Sequence, residues 1–231
     1  MRLHRFIVEG DLTGSIITVH DVALLKQWSK VLRLESHDRV ILCDGKCTEC
    51  EATLERIDHT HATLSLQSPR PVTAEPERCI TLYCSVLKRE NFEWVVQKCT
   101  EIGVKEIVPI IAERTVKTGL KVERLRLIAK EAAEQSGRGM IPKITEPMNF
   151  PSALLKAKNH ASNVMFHTGT SGSGQQKASN SLGLWIGPEG GWTEKELQEA
   201  QEQGFTMGSL GMLTLRAETA AVVGVFGTMN Q

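Results

Sequence analysis

The sequence of 231 residues carries no excess of either charge, because 27 lysines and arginines balance 27 aspartates and glutamates. This balance excludes a uniformly basic protein that attracts nucleic acid through its overall field, so any such partner must be met by a local basic patch. Aromatic residues are also scarce, with 4 Trp, 1 Tyr and 6 Phe, which leaves few side chains on which an unstacked base could lie.

The sequence also lacks the apolar segments of a secreted or membrane protein. No run approaches the roughly 18 apolar residues of a membrane span. The first ten residues, MRLHRFIVEG, contain two arginines and no long apolar core, so we expect neither a signal peptide nor an anchor. Without an export signal the 6 cysteines are most simply reduced thiols, and we expect a cytoplasmic protein without membrane contact.

Three of the cysteines have a spacing, C-x3-C-x2-C, that in other proteins holds an iron–sulfur cluster. They are Cys43, Cys47 and Cys50. Asp44-Gly45, placed between two β-like runs, instead predicts a hairpin. Because side chains alternate along a strand, Cys47 and Cys50 would point opposite ways. We therefore expect small strand residues here and no metal site.

The pattern of apolar residues changes along the chain. With 41% apolar residues and 19 glycines, the composition is that of a folded globular protein. Residues 1–70 hold short β-like runs (6–8, 15–19, 39–43, 48–54, 62–66) and one helical stretch (21–32), which predicts a small β-barrel-like domain. Residues 71–78 lie in the proline-containing stretch QSPRPVTAEPER, which suits a linker.

Residues 79–231 alternate apolar runs with helical patterns, which predicts an α/β domain with a largely parallel sheet and helices on both faces. The runs lie at 80–87, 106–111, 164–167, 182–186 and 206–210, and the helical stretches at 92–103, 122–137, 152–158, 193–203 and 218–229. Ligands bind such sheets beyond the carboxyl ends of the strands, so the strand-to-helix loops are the candidate sites. The stretch 168–181, rich in Gly and Ser, predicts a mobile surface loop.

Two strand-to-helix loops carry the candidate chemistry. In LWIGPEGGWTEKE (184–196), a buried run ends in three glycines, and Thr193 with Glu196 predicts a capping box that opens a helix. The glycines let backbone groups approach a ligand, but alone the segment could equally be a tight turn, and it is neither a P-loop nor a dinucleotide fingerprint. In LGMLTLRAETA (210–220), Arg216 and Glu218 stand at a second junction of this kind.

Two further features concern partners. From Thr219 onward no side chain is charged, so the last helix must be buried by the domain core or by a second copy of the chain, and we favour a dimer. Residues 105–143 contain nine basic and five acidic residues, a net charge of +4. This basic centre suits phosphate contact, but for Lys121, Arg124 and Lys130 we favour a solvated helix face.

Taken together, the segments resemble the RsmE family of bacterial ribosomal RNA methyltransferases, within the SPOUT superfamily. The resemblance covers nearly the whole chain, and the two glycine-containing loops together are its specific signal. Met212 and Thr214 depart from the residues more usual there. The matching segments are His4-Arg5-Phe6, Lys88-Arg89, Glu93-Trp94, Gln97-Lys98, Glu101-Ile102-Gly103, 114–117, 131–138, 186–191, Leu210-Gly211, Leu215-Arg216 and Glu218-Thr219-Ala220.

The resemblance implies a small N-terminal PUA-like β-barrel domain that helps to hold RNA, and a C-terminal SPOUT-type α/β domain with a trefoil knot. It implies a homodimer that uses S-adenosyl-L-methionine to methylate N3 of the uridine at position 1498 of 16S rRNA, in the small ribosomal subunit. Residues expected to hold the cofactor are Thr168, Gly187, Gly191, Leu210, Gly211, Leu215 and Arg216.

The remaining expected roles follow from the same resemblance and from the chemistry of the uracil ring. Arg216 would lie near the transferred methyl group and favour the deprotonated base, and Glu218 would orient Arg216 or accept the proton. Residues expected to grip RNA phosphates are Arg5, Arg114 and Arg138, with Lys88 and Arg89 in support.

Two alternatives stay open. A related SPOUT methyltransferase could act on a tRNA ribose or on another uridine. A non-catalytic RNA-binding assembly factor could carry an inactive cofactor loop. A nucleotide hydrolase or dinucleotide enzyme is disfavoured, because the glycine and lysine spacing that it needs is missing.

Overall fold

The structure is a computed structural model that describes residues 3–116, 119–169 and 180–230. The chain forms two compact units. The first unit contains Met1–Glu75 and Ala133–Ile141, and the second contains Pro76–Ala132 and Pro142–Gln231. The sequence prediction places residues 133–141 in the C-terminal domain. They belong to the first unit because their backbone and side chains bond with it, as in the hydrogen bond from Cys47 N to Gly139 O (3.0 Å).

The first unit is built around one mixed sheet. Its elements are β1 (Arg5–Ile7), β2 (Ile16–Val19), α1 (Val22–Lys26) with a π-helical continuation (Gln27–Leu32), β3 (Arg39–Cys43), β4 (Thr48–Ile57), β5 (Ala62–Leu66) and β6 (Arg70–Pro71). The strand order is β1-β3-β4-β5-β2, with β6 paired to β4. Only β1 and β3, among the described pairs of this sheet, run parallel. Trp28 is fully buried in the core and contacts the ring of Phe6.

The hairpin predicted around Asp44-Gly45 is confirmed. Strands β3 and β4 pair antiparallel, and the Asp44 carboxylate accepts hydrogen bonds from the amides of Lys46 (2.7 Å) and Thr48 (3.0 Å). Cys50 is a buried strand residue, whereas Cys47 lies in the turn with a φ of 70°. In the part of the chain that the structure describes, no group of three or more His, Cys, Asp or Glu could hold a metal ion.

The second unit contains the predicted parallel sheet. Its elements are β7 (Cys79–Ser85), α2 (Arg89–Ile102), β8 (Glu106–Ile111), α3 (Val122–Ser136), β9 (Lys143–Ile144), β10 (Met148–Asn149), α4 (Phe150–Ala157), β11 (Ser162–Phe166), β12 (Ser181–Ile186), α5 (Glu194–Glu202), β13 (Thr206–Gly208) and α6 (Ala217–Met229). The last turn of α3 falls in the first unit. The strand order is β10-β8-β7-β12-β11-β13, with β9 paired to β8, and the described pairs are parallel. The α/β class is thereby confirmed.

The central strands β7 and β12 are buried along nearly their whole length, as expected for a sheet covered on both faces. On one face, Tyr83 stacks on Trp185 with ring centroids 4.3 Å apart, and Phe150 of α4 meets Trp185 edge-on at 5.8 Å. Aromatic contacts of this kind stabilise the centre of the sheet, and the strand-to-helix loops emerge at the carboxyl ends of its strands.

Helix α6 is covered only in part by its own unit. It packs on α2, β7 and β12, and this contact buries Ala221, Gly224 and Val225. On the opposite side Phe226 remains 59% exposed and Val223 41% exposed. In residues 3–116, 119–169 and 180–230, no helix combines the length and the apolar character needed to cross a membrane.

Candidate functional site

A cavity of about 710 Å³ lies in the second unit at the carboxyl ends of β11 and β12, beside the start of α6. Three segments surround it: the ends of these two strands with the loops after them, and the residues that lead into α6. Its lining residues are Asn91, Arg114, Phe166, His167, Thr168, Ile186, Gly187, Pro188, Glu189, Gly190, Gly191, Trp192, Glu194, Thr214, Leu215, Arg216, Ala217, Glu218 and Ala220. The two loops singled out in the sequence therefore share one cavity.

The first loop, residues 187–193, is called the glycine loop here. It begins where β12 ends, and a β-turn closes it through a hydrogen bond from Gly191 N to Pro188 O (2.8 Å). Gly191 has a φ of 68°, a conformation that favours glycine. A Cβ atom at Gly187 would lie 3.1 Å from the ring of Trp192, so the end of the strand passes close to the indole.

The glycine loop leads directly into α5, whose predicted capping box is confirmed. The Thr193 hydroxyl meets the amide of Glu196 at 3.3 Å, and the Glu196 carboxylate accepts the amide of Thr193 at 2.9 Å. The Trp192 indole donates to the carbonyl of Phe166 at 3.2 Å, which ties the loop to the end of β11. The capping box thus fixes the end of the loop that leads into α5, and the Trp192 hydrogen bond fixes the loop to the end of β11.

The second loop connects β13 to α6. Gly211 has a φ of 121°, and the Ser209 hydroxyl bonds within the turn to the Gly211 backbone. Met212 and Leu213 are almost completely exposed. Leu215 lines the cavity with Arg216, whereas Leu210 and Gly211, both expected to hold the cofactor, are outside the lining residues.

Charged side chains of both signs face the cavity. The basic ones are Arg114 and Arg216, and the acidic ones are Glu189, Glu194 and Glu218. Arg216 occupies the N-cap of α6 and makes no capping hydrogen bond with its side chain. Burial raises the pKa of the Cys84 thiol, and the Glu189 and Glu218 carboxylates raise it further.

The residues expected to bind RNA differ in accessibility. Lys88 and Arg89 lie exposed at the start of α2. Arg89 pairs with Glu93 at 2.9 Å, and Arg124 binds both oxygens of the same carboxylate at 2.7 and 2.9 Å. Hydrogen bonds from Arg124 and then Arg89 lower the pKa of Glu93 to about 2. Arg124 thus follows the alternative of an ion-paired helix face.

Arg5 and Arg138, also expected to grip phosphates, are both ion-paired and largely buried. Arg138 is only 3% exposed, and its guanidinium binds both oxygens of the Glu75 carboxylate at 3.2 and 3.0 Å. Arg5 forms an ion pair with Glu49, and little of either side chain is exposed. Both guanidinium groups thus already neutralise a carboxylate inside the first unit.

Several cavity residues were missed by sequence reasoning. Phe166 is the last residue of β11 and His167 follows it, a position that the rule on carboxyl strand ends could have flagged. The amide of Gly169 donates a hydrogen bond to Nδ1 of His167 at 2.8 Å. Asn91 gave no signal, because it lies in α2, far from both loops in the sequence. Thr168 is exposed and lines the cavity, while most of the predicted mobile stretch, residues 170–179, lies outside the described residues.

Comparisons with known proteins agree with this arrangement. The RNA methyltransferase domain family matches residues 74–226. The ribosomal RNA small subunit methyltransferase E of Synechocystis sp. is 32% identical to this chain, and the alignment covers 95% of this chain and 75% of that protein.

Solved structures are similar over almost the whole chain. The ribosomal RNA small subunit methyltransferase E of Neisseria gonorrhoeae, bound to S-adenosyl methionine, has a TM-score of 0.91 at 28% identity, covering 99% of this chain and 98% of that one. A protein from Legionella pneumophila, described as a methyltransferase in complex with SAM, has a TM-score of 0.90 at 27% identity, covering 100% and 98%.

Proposed function

Because the chain belongs to the RNA methyltransferase family that includes the ribosomal RNA small subunit methyltransferases E, we propose that it methylates bacterial 16S rRNA. The methyl donor is S-adenosyl-L-methionine, and the acceptor is N3 of the uridine at position 1498. The observation that carries this proposal is the single cavity shared by the glycine loop and by Leu215-Arg216 at the start of α6.

The residues around the cavity fit such a donor. Its volume of about 710 Å³ lies within the range of small-molecule sites. No atom lies within 4 Å of a Cβ placed on Gly191, so the backbone there is open to a ligand. We assign the donor to Thr168, Gly187, Gly191 and Leu215, and we assign Leu210 and Gly211 to the shape of the second loop.

The acceptor nitrogen of uracil carries a proton, and its lone pair is a poor nucleophile until that proton leaves. When bound, S-adenosyl-L-methionine supplies an electrophilic methyl group on a sulfonium cation. The guanidinium of Arg216 stabilises the negative charge of the deprotonated base, because it is held at the cavity edge by the start of α6. Glu218, the second residue of α6, orients Arg216 or accepts the N3 proton.

Binding of the RNA chain requires positive charge near the cavity. Lys88 and Arg89 are exposed in the second unit, and we propose that they contact phosphates. We propose that the first unit is a PUA-like barrel that helps to hold RNA. The family resemblance and the sheet of short strands in this unit support this proposal.

We also propose a C-terminal trefoil knot and a homodimer for this chain. The dimer is supported by the exposed apolar side of α6, where Val223 and Phe226 stand one helical turn apart, and by the exposed Met212 and Leu213. A second copy would remove this apolar surface from water.

The decisive experiment supplies small ribosomal subunits that lack the modification, together with isotope-labelled S-adenosyl-L-methionine. We expect the label in 3-methyluridine at position 1498, identified by mass spectrometry of nucleosides and of mapped fragments. Label in a ribose-methylated nucleoside, or at another uridine, would instead indicate a related methyltransferase of different specificity. Absence of donor binding in calorimetry would indicate a non-catalytic assembly factor.

A further inference from the structure

A four-residue turn, residues 112–115, lies directly after β8 and beside the glycine loop; we call it the bracket. Its shape is set locally, since Thr115 N donates to Ala112 O at 3.0 Å and Ala112 N bonds with the Thr115 hydroxyl at 2.9 Å. These two hydrogen bonds define the turn, which presents Glu113 and Arg114 toward the loop.

Both of these residues contact the glycine loop or the helix that follows it. Arg114 Nη1 donates to the carbonyl of Gly190 at 2.8 Å and reaches the carbonyl of Trp192 at 3.4 Å. The amide of Glu113 donates to one carboxylate oxygen of Glu196 at 2.9 Å. Since the other oxygen of Glu196 caps α5, the bracket holds the loop and the helix start together.

The side chain of Arg114 also lies flat across the glycine loop. Its Cβ and Cδ atoms are 3.4 Å from the position that a Cβ atom on Gly190 would occupy. The aliphatic stem of the arginine thus runs beside the loop backbone, and its guanidinium reaches the two carbonyls. Hydrogen bonds from a charged donor to backbone acceptors are among the stronger ones in proteins.

We propose that Arg114 is a positioning residue for the donor site, in contrast to the phosphate-binding role that the resemblance implies. By binding the Gly190 and Trp192 carbonyls, it keeps the loop in the shape that receives S-adenosyl-L-methionine. A glycine-rich loop loses much conformational entropy when it becomes ordered, so a loop fixed in advance binds its ligand more tightly. This inference rests on the proposed function.

The test measures donor affinity without RNA, by calorimetry with S-adenosyl-L-methionine on the full chain. From the loss of one charged hydrogen bond at a partly exposed site, we expect Arg114→Ala to weaken binding about tenfold, and Arg114→Lys to recover part of it. Arg126→Ala, which removes an equally positive surface side chain of α3, should leave donor affinity unchanged. In steady-state kinetics Arg114→Ala should raise KM for the donor, with KM for RNA and the salt dependence of RNA binding unchanged.

The possible outcomes separate the two hypotheses. Unchanged donor affinity in Arg114→Ala, together with weaker RNA binding and a flatter salt dependence, would overturn the inference and restore Arg114 as a phosphate ligand. If the wild-type chain bound no donor, the proposed function itself would fail first. Thermal unfolding of each variant shows whether the substitution destabilises the whole fold. If Arg114→Ala does not fold, Arg114→Lys is tested in its place. Wild-type stability together with wild-type donor affinity in Arg114→Lys would then contradict the proposal.

Discussion

The buried ion pair between Glu75 and Arg138 gives the sharpest quantitative prediction for the first unit. Glu75 accepts hydrogen bonds from the Arg138 guanidinium and also from the amides of Gly139 (2.9 Å) and Met140 (3.1 Å). The side chains of the pair are 4% and 10% exposed, for Arg138 and Glu75 respectively. The Glu75 carboxylate therefore bonds with three residues that lie 63 to 65 positions further along the chain.

The structure predicts unequal costs for the two single substitutions. Glu75→Ala leaves a guanidinium and two amides without this partner, and we expect it to destabilise the first unit by about 3–5 kcal/mol. Arg138→Ala leaves the carboxylate with its two backbone donors, so we expect a smaller loss of about 2–3 kcal/mol. In the double variant the losses should not add, because each single change already breaks the pair.

Hydrogen exchange measured by mass spectrometry suits this test, because it reports the stability of each unit separately. Peptides of β3 and β4 should lose more protection in Glu75→Ala than in Arg138→Ala. Peptides of β12 in the second unit serve as an internal reference. Wild-type protection in Arg138→Ala, accompanied by a loss of RNA affinity, would refute the reasoning and identify Arg138 as an RNA ligand.

Three further predictions concern the second unit. Arg216→Ala should keep RNA binding and thermal stability but lose most turnover, and a variant that methylated rRNA at the wild-type rate would remove Arg216 from the mechanism. Gly191→Ala should weaken donor binding in calorimetry, because a φ of 68° is strained by about 1–2 kcal/mol for alanine, whereas Gly14→Ala, with no such φ, should not. Burial lowers the pKa of His160 below its ordinary 6.5, so the unfolded chain takes up this proton more readily, and stability should fall as the pH drops below that value. Denaturation with urea at about pH 7.5 and 5.5 should show a smaller pH effect in His160→Gln than in wild type; an equal effect would assign it to other groups.

The sequence predicted those features that depend on neighbouring residues. The hairpin turn at Asp44, the capping box of Thr193 and Glu196, and the alternation of strands and helices are all set within a few residues. Local hydrogen bonds and side-chain periodicity are sufficient to specify them. The short strands β6, β9 and β10 were not predicted, because two residues are too few to show a period of two.

Contacts between distant residues were decided by the tertiary structure alone. Arg114 meets the carbonyl of Gly190 across 76 positions, and Arg138 meets Glu75 across 63. In the sequence both arginines are equally plausible cations for an RNA backbone, since a charge pattern does not reveal which carboxylate or carbonyl will lie opposite. Folding buries the Arg138 guanidinium, whose charge then needs a compensating partner, and it sets the exposed Arg114 against the glycine loop.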